Sequence, residues 1–200
     1  MRIIAISLPN AIDGEGAIIR HLLADGVDIV HLRKPDADID YCRALLEQLT
    51  AAERKRIVVH DYYSLYEEYS LRGVHLNRNI THLPDGYLGT RTRSCHSLEE
   101  VIRYKEECDY LFLSPIFDSI SKPNYRSAFS HETLRRAADE GVIDERVVAL
   151  GGVTLDMLAY LRSLRFGGVA MSGAIYRADG CESLKVYLDA SEDITHIAKR

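Results

Sequence analysis

Eight short β-branched runs alternate with segments of helical period along this chain. The runs are RIIAISL (2–8), DIVHLR (28–33), RIVVHD (56–61), GVHLN (73–77), YLGTRT (87–92), DYLFLS (109–114), RVVALGG (146–152) and GVAMSG (168–173). Between them apolar residues recur on one helical face: Ile18, Leu22 and Leu23; Leu45, Leu46 and Leu49; Leu98, Val101 and Ile102; Leu155, Leu158 and Leu161. Strands that are apolar throughout must bury both faces. That predicts a parallel sheet covered by helices. Eight such units predict a single (β/α)8 TIM barrel over residues 1–200, with an open doubly wound sheet as the alternative.

A barrel of this type typically needs about 250 residues, and this chain has 200. One economy is visible. Little more than THLPDG separates the fourth and fifth strands, so the fourth helix is reduced. Helix starts are marked by Ser97, where SLEE forms a capping box, by Ser130 and by Thr154.

Composition narrows the function classes. A net charge of −5 without a basic stripe argues against nucleic acid. The N-terminal apolar run is too short for a signal-peptide core or a membrane span. Cys42, Cys95, Cys108 and Cys181 lack any CxxC pairing and read as reduced thiols, so a cytoplasmic protein is expected.

In a barrel the active site is built at the C-terminal ends of the strands. Those ends read HLRK, VHD, VHLNR, RTRSCH, SPIF, LGGV and MSG, and polar chemistry gathers there. Arg33 lies two residues after His31, so both share the inner face. There a guanidinium can grip a phosphate in two-pronged fashion, unless it is a plain surface arginine. Asp61 is either a Mg2+ ligand beside bound phosphates or the N-cap of the helix around YSLYEEY. Gly151-Gly152 and Ser172-Gly173 are either tight turns or backbone cradles for a phosphate. A metal–histidine hydrolase is disfavoured, because neither HxH nor HExxH occurs. After the sixth strand, FLSPIFDSISK carries Ser119, Ser121 and Lys122: two hydroxyls and an ammonium suited to an anion.

Taken in order, the strand ends HLRKP, HD, GVHLNRNI, TRSCHSLEE, SPIFDSISK, LGGV and MSGAI resemble the thiamine phosphate synthase and thiazole tautomerase family, from about Ile3 to Ala178. The resemblance implies a transferase that couples hydroxymethylpyrimidine diphosphate to thiazole phosphate, releasing pyrophosphate, with Mg2+ as cofactor. It implies catalytic roles for Arg33 and Lys122 at the diphosphate. Apart from the resemblance, His31, His60 and His96 could act as acid or base, since an unperturbed histidine titrates near neutral pH, and His60 is counted with the catalytic residues. The resemblance gives Asp61 to the metal and Ser94 to the pyrimidine. Ser119 and Ser121 would receive phosphate, as would Gly152, Ser172 and Gly173 through their amides. His31 and Lys34 would line the substrate.

Three departures stand out. Lys34 follows Arg33 at once, on the opposite strand parity. His60 replaces the family asparagine. Ile80 stands where the second metal carboxylate falls. The sister tautomerase reaction needs a histidine where this chain has Pro115. A tautomerase-like isomerase and a non-catalytic thiazole or thiamine phosphate binder remain alternatives. The expected partners are small phosphate-bearing molecules, with no nucleic acid and no membrane. Further copies of the chain, as a homo-oligomer, are left open.

Overall fold

Eight parallel strands pair in sequence order, and β1 pairs with both β2 and β8, so the sheet closes on itself. The computed structural model describes residues 1–78, 80–118 and 129–176. The strands are β1 (Arg2–Ile6), β2 (Ile29–Leu32), β3 (Ile57–Val59), β4 (Gly73–Leu76), β5 (Thr90–Cys95), β6 (Tyr110–Leu113), β7 (Val147–Leu150) and β8 (Gly168–Met171). Outside them lie α1 (Glu15–Ala24), α2 (Ile39–Glu47), α3 (Ala51–Arg54), α4 (Ser64–Glu68), α5 (Leu98–Tyr104), α6 (His131–Asp139) and α7 (Leu158–Ser163), the last preceded by a 3-10 turn, Leu155–Met157.

Alternation along each strand divides the core in two. Ile4, Ile6, Ile29, Val58, Tyr110, Phe112, Val148 and Ala170 fill the barrel. Their neighbours, such as Val30, Leu32, Val59, Leu111 and Val169, pack outward with Ile19, Leu22, Leu45, Leu46, Leu134 and Leu161 from the helices. Two apolar layers on one sheet are what continuous β-branched strands require. Into the inner layer the chain also places His31, His60, His75 and Thr92, all buried.

Local signals explain the boundaries. Asp38, Thr50, Ser97 and Ser130 cap α2, α3, α5 and α6 by accepting a backbone N–H. Glu100 reaches back to the His96 N–H, one residue before the cap, so the expected box at Ser97 is shifted by one. Thr154 does not cap. Its hydroxyl donates to Asp156 at 2.5 Å, and the segment starts as a 3-10 turn. Ile102, expected on the buried face of α5, is 62% exposed.

No helix lies between Leu76 and Thr90 among the described residues, in keeping with the reduced fourth helix. The buried Tyr87 ring, 4.7 Å from Tyr66, supplies part of the missing cover. That role moves β5 from the expected 87–92 to Thr90–Cys95. No helix among the described residues is long and apolar enough to cross a membrane.

Candidate active site

Arg33 follows the last residue of β2 and stands exposed at the barrel mouth. Its backbone is held from both sides by Ser7, just past β1. The Ser7 hydroxyl accepts the Arg33 N–H at 2.8 Å and donates to the Arg33 carbonyl at 3.0 Å. A hydroxyl can do both at once, so the guanidinium springs from a fixed peptide.

Lys34 turns the other way, as its parity requires. It is 1% exposed. Its ammonium donates to the Leu8 carbonyl at 2.9 Å and the Asn10 carbonyl at 2.8 Å, and pairs with Glu15 at 2.6 Å. Glu15 in turn accepts the hydroxyls of Tyr41 and Tyr176. Three donors meet three acceptors, so none is left for a substrate. The expectation that Lys34 lines the substrate is corrected on this ground. Lys34 ties the loop after β1 to the start of α1.

Inside the mouth lies a column of histidines. His31 Nε2 is 2.6 Å from the Tyr110 hydroxyl, and His31 Nδ1 is 2.8 Å from His60 Nε2. His75 Nδ1 lies 2.7 Å from Thr92 Oγ1, and its Nε2 lies 3.1 Å from Ser94 Oγ. The His60 and His75 rings stack 4.0 Å apart. Burial pushes all three imidazoles towards the neutral form. Positive neighbours add to it: Arg72 at His31, Arg33 at His60, and Arg93 and Arg33 at His75, which falls to about 3. His31, expected at the substrate, is wholly buried with both ring nitrogens engaged, and it can reach a ligand only through His60. His96 lies apart, its Nδ1–H donating to the Ser114 carbonyl.

The histidine ligand atoms lie within 4.8 Å of one another, the spacing of a candidate metal site. Their arrangement is that of a hydrogen-bonded stack. Five of the six ring nitrogens have partners. The parallel planes of His60 and His75, 10° apart, keep their lone pairs from converging on one ion. Nearby arginines oppose a dication further.

Asp61 is half-buried, and its Oδ2 accepts the Lys34 N–H at 3.1 Å. It does not cap α4, whose N-cap is Tyr63. No second acid joins it from the loop after β4. There Asn77 donates to the His60 carbonyl at 2.6 Å and accepts the Ile80 N–H at 3.0 Å, leaving an apolar side chain at the family's carboxylate position. Asp85 lies in an outer groove with Tyr63, Tyr66 and Tyr87. One free carboxylate oxygen fits Mg2+ carried in on substrate phosphates, with water completing the shell.

Across the mouth, Gly151 and Gly152 have φ of 91° and 65°. A Cβ at Gly152 would meet the Asp118 carbonyl at 2.5 Å, so glycine lets the loops after β6 and β7 touch. Gly173 differs: a Cβ there would meet nothing within 4 Å. The Ser172 carbonyl accepts the amides of Ile175 and Tyr176. The amides of Gly152, Gly173 and Ala174 donate to no protein acceptor among the described residues. Ser119, Ser121 and Lys122 lie outside the described residues; Asp118, which precedes them, abuts Gly152.

Arg33, His60, Asp61, Ser94, Gly152 and Gly173 thus occupy strand ends at the same rim. Ser7, His75 and Tyr110 were absent from the expected set. The signal for His75 was its strand: His31, His60 and His75 occupy inward positions of three successive strands.

The family model described as thiamine monophosphate synthase matches residues 6–175. A thiamine-phosphate synthase of Photorhabdus laumondii is 29% identical over 171 residues, covering 81% of this chain and 79% of that protein. One from Thermus thermophilus is 32% identical over 143 residues, 68% of each. The crystal structure of thiamine phosphate pyrophosphorylase from Bacteroides thetaiotaomicron superposes with a TM-score of 0.83 at 34% identity, covering 94% of this chain and 98% of that one. The Pyrococcus furiosus thiamine phosphate pyrophosphorylase shares the fold, with a TM-score of 0.75 at 19% identity over 96% of each chain. With a family match spanning most of its length, the chain belongs to the thiamine monophosphate synthase family.

Proposed function

We propose that the chain is a thiamine phosphate synthase, joining hydroxymethylpyrimidine diphosphate to thiazole phosphate with release of pyrophosphate. The observation that carries this reading is the shared rim. A guanidinium and a carboxylate (Arg33 and Asp61) stand at strand ends on the same rim as two loops whose amides, at Gly152 and Gly173–Ala174, donate to no protein acceptor among the described residues. That is a receptor for two phosphate-bearing molecules, one of them a diphosphate.

The chemistry asked of the protein is mainly electrostatic. The carbon–oxygen bond to the diphosphate breaks, the pyrimidine stabilises the cation left behind, and the thiazole nitrogen attacks it. Arg33 holds the diphosphate, and its charge favours the leaving group as negative charge builds there. Amides at Gly152 and Gly173 hold the thiazole phosphate and aim the nucleophile. Lys122, Ser119 and Ser121 supply further donors to the phosphates. Ser94 approaches the pyrimidine while bonded to His75. Asp61 would hold Mg2+ against the diphosphate, where the ion neutralises the leaving charge.

The test mixes both substrates with Mg2+ and follows thiamine phosphate. Turnover that falls at least tenfold in Arg33→Gln supports the reading, since a hydrogen bond to a charged group is worth about 1.5–3 kcal/mol. Metal-independent proton exchange on a thiazole phosphate would instead favour the isomerase. Binding without turnover would favour a non-catalytic barrel.

A further inference from the structure

We infer that Tyr110, acting through His31, fixes His60 as a neutral donor that presents its Nδ1–H to the substrate at the mouth. The argument is one of hydrogen-bond economy. Tyr110 is 1% exposed, and its hydroxyl has one protein partner among the described residues, His31 Nε2. The cations near its ring, Arg2 (4.9 Å from the ring centroid) and Arg72, bring donors and no acceptor. Burial keeps the phenol protonated. Its O–H must therefore donate to His31 Nε2 or go unpaired inside the barrel.

The rest follows along the chain of rings. With Nε2 accepting, neutral His31 carries its proton on Nδ1 and donates to His60 Nε2, 2.8 Å away. His60 then carries its own proton on Nδ1. That nitrogen has no protein partner among the described residues, and it is not among the buried unpartnered atoms, so it reaches solvent. His60 adjoins Asp61 and lies near Arg33, so the donor faces the substrate side of the rim. The opposite order of protons would strand the Tyr110 O–H without an acceptor, a cost that favours the first order by about tenfold or more. Tyr110 is thus a positioning residue that never touches the ligand.

The tautomer stands on the hydrogen bonds alone; its use in the reaction rests on the synthase reading. Long-range nitrogen–proton correlation spectra of the intact protein at pH 7.5 separate the two. The expected wild-type spectrum shows His31 and His60 both protonated at Nδ1. An Nε2–H form of His60 would overturn the inference, and this needs no variant. Tyr110→Phe, which keeps the ring and its volume, removes the bias, and an Nε2–H population of His60 should appear. Unchanged tautomers in that variant would also overturn it. Adding inorganic pyrophosphate, and separately the phosphate-free hydroxymethylpyrimidine alcohol, shows which group accepts the hydrogen bond. Movement of the His60 Nδ1 signal by either supports the donor role; a signal that neither moves refutes it.

Discussion

Three neutral imidazoles buried in a barrel should make this protein sensitive to mild acid. At pH 7.5 they are neutral in both folded and unfolded chains and contribute no pH dependence. As pH falls below 6.5, the unfolded chain takes up protons there. The folded chain does not, because burial comes first in holding the folded values down, and a proton added to any ring would then be opposed by its neighbours: His75, if protonated, and Arg72 at His31; His75 and His31, if protonated, and Arg33 at His60; Arg93 and Arg33 at His75. The sign follows: each histidine withdraws stability between 6.5 and its folded value. At pH 5 the unfolded chain gains about 1.5 units of protonation free energy per histidine, or about 2 kcal/mol each and about 6 kcal/mol for the three. A whole domain holds only about 5–15 kcal/mol.

The variant that tests this carries His31→Gln and His60→Asn, the second being the family's asparagine. Amides keep hydrogen-bonding capacity and do not titrate. Between pH 7.5 and 5 the double variant should lose about 4 kcal/mol less stability than the wild type. In urea melts, with an m-value of about 2 kcal/mol per molar, the two midpoints should diverge by about 2 M over that range. Other titrating groups cancel in the comparison. Midpoints that move in parallel with pH would refute the claim that these histidines are buried and neutral.

Three further outcomes follow from the geometry. Lys34→Met leaves Glu15 buried and unpaired, at a cost of about 3–5 kcal/mol, so melting should fall by roughly 10 °C while kcat/KM well below the melt stays within about threefold; a stable variant without turnover would return Lys34 to the substrate. Gly152→Ala places a Cβ 2.5 Å from the Asp118 carbonyl at a φ of 65°, so KM for thiazole phosphate should rise about tenfold and stability fall by about 1–3 kcal/mol, whereas Gly173→Ala, in open space, should leave melting unchanged. With Asp61 as the acid assigned to the ion, calorimetry corrected for Mg2+–pyrophosphate mixing should detect Mg2+ binding to the protein only when pyrophosphate is present, and Asp61→Asn should abolish that gain; tight Mg2+ binding by the free protein would reveal a ligand beyond Asp61.

The architecture was legible because strand and helix periods are enforced by burial. A strand buried on both faces carries few polar residues, so seven of the runs and their order could be read directly; β5, TRTRSC, is polar and partly exposed, and its expected bounds were the least accurate. Parity also placed Arg33 at the mouth and put Lys34 out of line with it. Where the reading slipped, tertiary contacts had decided. Tyr87 looks like a strand residue, yet its ring packs on Tyr66 and delays β5. Thr154 looks like a cap, yet its hydroxyl is spent on Asp156. Lys34 reads as a substrate ligand in the sequence because its acceptors, Leu8, Asn10 and Glu15, come from a distant stretch that sequence spacing cannot reveal. The histidine column depends on three strands and a tyrosine from a fourth, each unremarkable when read singly.

Charge placement links the column to the proposed reaction. Breaking the bond to diphosphate creates an anion at the rim and a cation on the pyrimidine. Positive charge at Arg33 favours the first and, by the same field, opposes the second if it extends inward. Neutral histidines keep their hydrogen-bonding nitrogens without adding positive charge beneath the heterocycle. Arg33 itself helps hold His60 and His75 neutral. On the proposed reading Arg33 would draw off the leaving group, and burial, with a small contribution from Arg33, keeps the imidazoles beneath the pyrimidine uncharged.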